Sequence, residues 1–165
     1  MMEVMQCGLN WNIMIQKRKI FRDCFDNFDL DKVSAYDKTD IERIMGTEGM
    51  IPSRRKIEAT IHNARCFQRI RAEFGSFSEY IWDFAKGRTY LYMGHQKGNA
   101  PARNGLSDRV SADLKKLGLK YMGSVTVHSH LQACGIINDH WEGCFQYQEL
   151  IACTDAVRKR QEQER

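Results

Sequence analysis

The chain has 165 residues, the size of one compact domain, and 42% of them are hydrophobic, enough for an ordinary core. No apolar run approaches the ~20 residues of a membrane-spanning helix, and Met1-Met2-Glu3-Val4-Met5 lacks the basic start of a secretion signal. The six cysteines therefore read as reduced thiols of a cytoplasmic protein, some able to bind metal, and the mild net charge of +4 permits a nucleic-acid partner without demanding one.

At the start, Met1, Met2, Val4, Met5 and Leu9 pattern as the buried face of a helix. It opens with no N-cap and no preceding turn, which leaves its first N–H groups unsatisfied and predicts further residues upstream. Basic residues then gather at Lys17-Arg18-Lys19, at Arg54-Arg55-Lys56, and at Lys115, Lys116 and Lys120. Such groups are ordinarily solvated helix faces, but their places at helix ends suit phosphate contacts. Thr39 with Glu42 reads as a capping box opening a short helix that Gly46 ends. From Ser53, Ile57, Ile61, Ala64, Phe67, Ile70 and Phe74 recur at three- and four-residue steps, the stripe of a long helix. Ser76 with Glu79 makes a second box, with Gly87 at that helix's close.

Thr89-Tyr90-Leu91-Tyr92 is the one candidate for a brief extended piece, and Met93 to Gly105 reads as a loop. Val110, Leu114 and Leu117 line another helix, stopped by Gly118. After Thr154 nearly every residue is polar, as in a solvated helix extension or a frayed tail. With two prolines, no linker and no repeat, residues 1–150 are expected to form a single all-α domain, a helical bundle, followed by a polar tail over 151–165.

Leu117-Gly118-Leu119-Lys120-Tyr121-Met122-Gly123-Ser124 joins two helical stretches. Two glycines enclose a tight turn, and the helix that begins near Ser124 would offer free N–H groups and the positive end of its dipole to a phosphate oxygen. Lys120 would add sequence-blind charge. The layout is that of a helix-hairpin-helix element, although a helix, a glycine turn and a helix are common in any fold.

Three blocks read together carry more. Glu3-Val4-Met5-Gln6-Cys7-Gly8-Leu9-Asn10-Trp11, then Gly49-Met50-Ile51 with Arg54-Arg55-Lys56-Ile57 and Asn63-Ala64, then Gln132-Ala133-Cys134-Gly135-Ile136-Ile137-Asn138-Asp139-His140 with Cys144, stand in this order along the chain. Together they resemble the 3-methyladenine DNA glycosylase I family over roughly Met1 to Tyr147. The resemblance implies a helix-hairpin-helix DNA glycosylase-like bundle that acts as a monomer on double-stranded DNA with alkylated bases. It would flip the damaged nucleotide out, because a stacked base is out of reach, and hydrolyse the N-glycosidic bond of 3-methyladenine. The cationic lesion is already a good leaving group, so discrimination matters more than catalytic power.

By the same resemblance, Glu3 is the pocket carboxylate, the catalytic and base-binding residue that favours a cationic base. Trp11 stacks on that base, and Gln6 adds a second polar contact. Leu9 is the wedge that fills the gap left by the flipped nucleotide. Lys120, Gly123 and Ser124 contact DNA. Without the resemblance Glu3 is an exposed helix glutamate, and Trp11 and Leu9 are core residues. Asn138 falls where wider relatives carry a catalytic aspartate, with Asp139 one residue on, so a monofunctional hydrolase with no lyase step is expected. The alternative for Asp139 is to cap or orient local backbone, and His128 and His130 read as packing or DNA-adjacent.

His140 and Cys144, four apart, would point the same way on one helical turn and suit two ligands of a structural zinc. The family supplies the other two from an N-terminal segment absent here. The site is therefore expected to be incomplete or absent unless Cys153, Cys134, His128 or His130 substitutes. No organic cofactor is expected. The competing expectation is a truncated, catalytically impaired helix-hairpin-helix DNA-binding protein, which would bind DNA in a salt-dependent way without regard to the lesion.

Overall fold

The structure is a computed structural model that describes residues 2–92, 101–153 and 156–159. The chain is mostly helical: α1 (Met2–Gln6), α2 (Trp11–Gln16), α3 (Arg18–Cys24), a 3-10 turn (Asp26–Phe28), α4 (Leu30–Ala35), α5 (Lys38–Met45), α6 (Arg54–Phe74) and α7 (Phe77–Asp83). Then come β1 (Thr89–Tyr92), α8 (Gly105–Lys116), α9 (Ser124–Ala133), β2 (Ile137–Asn138), α10 (Phe145–Cys153) and β3 (Ala156–Lys159). Packing divides this chain into two compact units: Met1–Ser76 with Leu114–Met122, and Phe77–Asp113 with Gly123–Arg165. Composition gives no hint of the division, because each boundary falls in or beside a helical run with no linker.

In the first unit α6 is the central element. Ile57, Ile61, Ala64 and Ile70 are buried along it, as their spacing predicts, whereas Phe67 is half-buried and Phe74 is exposed at the helix end. Met5, Met14, Phe21, Phe25, Val33 and Ile44 complete the core around it. Arg65 Nε donates to Ser34 O at 2.8 Å, and its NH2 to Tyr36 O at 3.1 Å, so the end of α4 is tied to α6 through main-chain carbonyls. The short helices have local starts. Asp29 caps α4 by accepting from Asp31 N and Lys32 N. The capping box of α5 is Asp37 with Asp40, not Thr39 with Glu42, because the helix begins two residues earlier than the Thr39 pattern implied. Gly46 ends that helix as expected.

In the second unit the extended piece expected at Thr89–Tyr92 is the centre of a parallel sheet ordered β2-β1-β3. Tyr90 pairs with Ile137 and Leu91 with Asn138 on one side. On the other, Thr89 to Tyr92 pair with Ala156 to Lys159. The expectation of a helix extension or frayed tail is therefore corrected over Ala156–Lys159. A strand with open N–H and C=O groups on one edge gains ladder bonds from any extended segment that reaches it, polar or not. Gly87, at φ +68, closes the turn after α7 by donating its N–H to Trp82 O. Asn104 and Ser107 exchange side-chain-to-main-chain bonds at 2.9 Å to open α8. Residues 93–100 of the expected loop lie outside the described residues.

Candidate functional site

The first block folds into α1 and the turn after it. A five-residue helix cannot hold itself, and two neighbours stabilise this one. Val4 and Met5 are buried in the core. Lys56, in the first turn of α6, donates its ammonium to Met5 O at 2.9 Å and to Cys7 O at 2.5 Å, satisfying the carbonyls at the helix C-terminus. Lys56 thus leaves the basic group in which composition placed it and becomes a cap. Leu9 lies beyond the helix end, half-buried, and Met1 lies outside the described residues.

Glu3 is half-buried and lines a cavity of about 360 Å³ together with Met2, Arg18, Arg22 and Phe28. That volume is in the range of small-molecule sites. Gln6 and Trp11 are not among the lining residues. Trp11 opens α2 after the cap Asn10, whose side chain accepts from Asn12 N, and its indole is 45% exposed. Trp11 is therefore not the core residue that the bland alternative supposed. The cavity lining carries one carboxylate and two guanidinium groups.

Residues 117–123 connect α8 to α9. Gly118, at φ +91, reverses the chain, and a side chain there would be strained. Tyr121 stands at φ +60. Asn63, 1% exposed, donates from Nδ2 to Lys120 O at 2.9 Å and accepts from Lys120 N at 2.8 Å. His62 Nε2 donates to Gly118 O at 2.8 Å, and Arg69 donates to Leu117 O at 3.0 Å. Lys120 itself is exposed. Gly123 is the N-cap of α9 with no side-chain cap bond, and Ser124 is the first helical residue.

At the third block, Asn138 and Asp139 are both buried, Asn138 in β2. Asp139 Oδ2 lies 2.9 Å from His128 Nε2, and Asp139 Oδ1 accepts from Gln132 Nε2 at 2.6 Å. His128 Nδ1, also buried, has no hydrogen-bond partner among the described residues. The Asp139 side chain thus meets two residues of α9. Asn138 does cap locally, accepting from His140 N at 3.3 Å.

His140 and Cys144 precede α10 and lie in a turn, with Cys144 N donating to Trp141 O, rather than on one helical turn. They still converge: Cys144 Sγ is 3.7 Å from His140 Nδ1. A tetrahedral zinc with ordinary Zn–S and Zn–N lengths separates such donors by about 3.6 Å, so the pair fits two corners. The His62–Cys66 and His130–Cys134 pairs are 3.5 Å apart as well, so separation alone does not single out a metal pair. Among the described residues no three His, Cys, Asp or Glu groups form a metal-binding set, so neither Cys134, His128 nor His130 completes the site. The Cys153 side chain lies outside the described residues.

Sequence reasoning missed Lys56 as a cap, Asn63 as a clamp and the His128–Asp139–Gln132 network. Their partners are 7 to 57 residues away. Lys56, Asn63, Gln132 and Asp139 stood in matched blocks, but their partners could not be read there.

Comparison with known proteins comes to the same place. The family model for methyladenine glycosylase matches residues 1–147. DNA-3-methyladenine glycosylase 1 of Escherichia coli is 36% identical over 146 residues, covering 88% of this chain and 78% of the relative. DNA-3-methyladenine glycosylase of Haemophilus influenzae is 29% identical over 143 residues, covering 87% and 77%. Among solved structures, the crystal structure of a point variant of 3-methyladenine DNA glycosylase I in complex with 3-methyladenine superimposes with a TM-score of 0.83 at 28% identity, covering 88% of this chain and 78% of that one.

Proposed function

The chain belongs to the methyladenine glycosylase family, and on that premise we propose how its own residues remove 3-methyladenine from DNA. The activity is base-excision repair: a DNA glycosylase hydrolyses the N-glycosidic bond of the alkylated base. Water adds its oxygen to the sugar C1′, the bond from C1′ to the base breaks, the base leaves neutral and one proton is released to solvent. No enzyme nucleophile is needed when the leaving base begins as a cation, so the reaction stops at hydrolysis without strand cleavage.

Glu3 is the residue that selects the lesion, by accepting hydrogen bonds from the base and by favouring its positive charge. The observation that carries this reading is that Glu3 lines a cavity large enough for a methylated purine, beside Phe28. Arg18 and Arg22 at the same cavity suit the phosphates that flank an everted nucleotide. Trp11, exposed at the start of α2, offers a face for the base, and Gln6 on α1 a further polar contact. Leu9 follows α1 as the wedge. Lys120 and the α9 start at Gly123 and Ser124 take backbone phosphates of alkylated duplex DNA without reading sequence. The protein acts as a monomer.

His140 and Cys144 are the right donor types for a structural zinc and supply two of its four positions. Zinc would order the turn before α10, and no chemical step passes through it. Metal analysis of the purified chain should give well under one equivalent of zinc, and none after Cys144→Ser; a full equivalent would locate the other donors outside the described residues. The activity is tested by incubating the chain with methylated duplex DNA. Free 3-methyladenine should be released, with abasic sites and intact strands. Salt-sensitive binding of DNA with no base release would replace this reading by that of a DNA-binding protein without excision.

A further inference from the structure

We propose that Asn63 is a positioning residue for DNA binding, gripping Lys120 by both main-chain groups and so setting how the hairpin presents its cation. The inference rests on the phosphate-contact role proposed above for Lys120. Asn63 sits in the interior of α6 and is 1% exposed. A carboxamide so placed is costly unless its donors and acceptor are used. Here Nδ2 donates to Lys120 O at 2.9 Å while Oδ1 accepts from Lys120 N at 2.8 Å. One side chain thus makes the paired bonds that a neighbouring strand would make, at a turn where no strand is present.

The grip falls where the backbone needs it. Gly118 at φ +91 and Tyr121 at φ +60 both stand in the left-handed region, which is unfavourable for an aromatic residue without outside support. His62 and Arg69, one position before Asn63 and six beyond, hold Gly118 O and Leu117 O. The turn is therefore bound from α6 at three carbonyl groups within four residues: Leu117, Gly118 and Lys120. Only at Lys120 is the N–H held by the same side chain, which fixes the peptide plane on both sides of the Cα that carries the exposed ammonium.

The test uses the full chain and an undamaged duplex for binding, then a methylated duplex for single-turnover excision at saturating enzyme. Asn63→Asp keeps the shape and the acceptor but loses the donor and places a carboxylate against Lys120 O. Its affinity for DNA should fall roughly tenfold, and the slope of log affinity against log salt should shrink by about one, as for Lys120→Ala. The double variant should be no weaker than Lys120→Ala alone, and excision at saturation should stay within about twofold of the parent.

A merely structural asparagine would lower the melting temperature and leave the salt slope unchanged. That result, or full additivity with Lys120→Ala, would overturn the proposal. If Lys120→Ala itself leaves the slope intact, the phosphate role of the hairpin fails and the inference falls with it, a result distinct from an inert Asn63→Asp. Should Asn63→Asp not fold, Asn63→Ser, too short to bridge both groups, decides by the same readouts.

Discussion

Two regions of this protein carry matched family blocks, and they are held in different ways. The first block begins on α1, five residues long, whose cavity-lining side chain Glu3 belongs to a helix fastened at its carbonyl end by Lys56. The third block lies on β2 and the turn after it, fastened by a buried side-chain pair, His128 with Asp139, and by sheet bonds to β1. A main-chain cap at a half-exposed lysine fixes direction while contributing little to overall stability. A buried side-chain pair does the reverse, because either member left without its partner is stranded away from water. The first region should therefore fail in function before it fails in folding, and the second in folding before function.

The largest effect expected is on the second region. Asp139→Ala leaves the buried His128 Nε2 without its carboxylate, and should cost about 2–4 kcal/mol in a denaturant titration. A loss within experimental error would place the two regions on the same footing and break the comparison. In the first region, Glu3→Gln should lower kcat/KM on methylated DNA by about tenfold or more while the melting temperature holds. An unchanged rate would remove Glu3 from recognition.

Lys56→Met sharpens the contrast further, since its ammonium is bonded to the carbonyl end of α1. Excision should fall about fivefold through misplacement of α1, with a stability loss of about 1 kcal/mol and partial recovery in Lys56→Arg. A stability loss as large as that of Asp139→Ala would mean that the cap is structural in the same sense as the buried pair.

The smallest effect concerns Tyr36, in the first unit but away from α1. Its hydroxyl donates to Asp26 Oδ2, and burial together with that carboxylate pushes the phenol up to about 12. Folding favours the protonated phenol, so this contribution is complete below pH 10 and is lost as pH rises from 10 through about 12. Tyr36→Phe should cost about 1 kcal/mol at pH 8 and flatten the alkaline arm of stability measured by urea melts. An equally steep arm in the variant would assign the pH dependence elsewhere.

The amino-acid sequence by itself determined the helical class, the long α6, the stops at Gly46, Gly87 and Gly118, the extended piece at Thr89–Tyr92 and the family, because periodicity, caps and matched blocks are local properties of the chain. It did not determine the register of the α5 cap, where Asp37 and Thr39 were both competent and the position of the preceding chain chose between them. Nor did it reveal that polar residues 156–159 form a strand, since pairing depends on an open edge some 67 residues earlier, at Thr89.

The candidate site divides along the same line. Glu3, Trp11, Lys120, His140 and Cys144 were legible as residue types in recognisable blocks. Only the tertiary structure decided that Lys56 caps α1, that Asn63 grips Lys120 and that His128 meets Asp139. The reason is physical: a side chain declares its chemistry in sequence, but its partner is chosen by packing, which brings together groups that the chain keeps far apart.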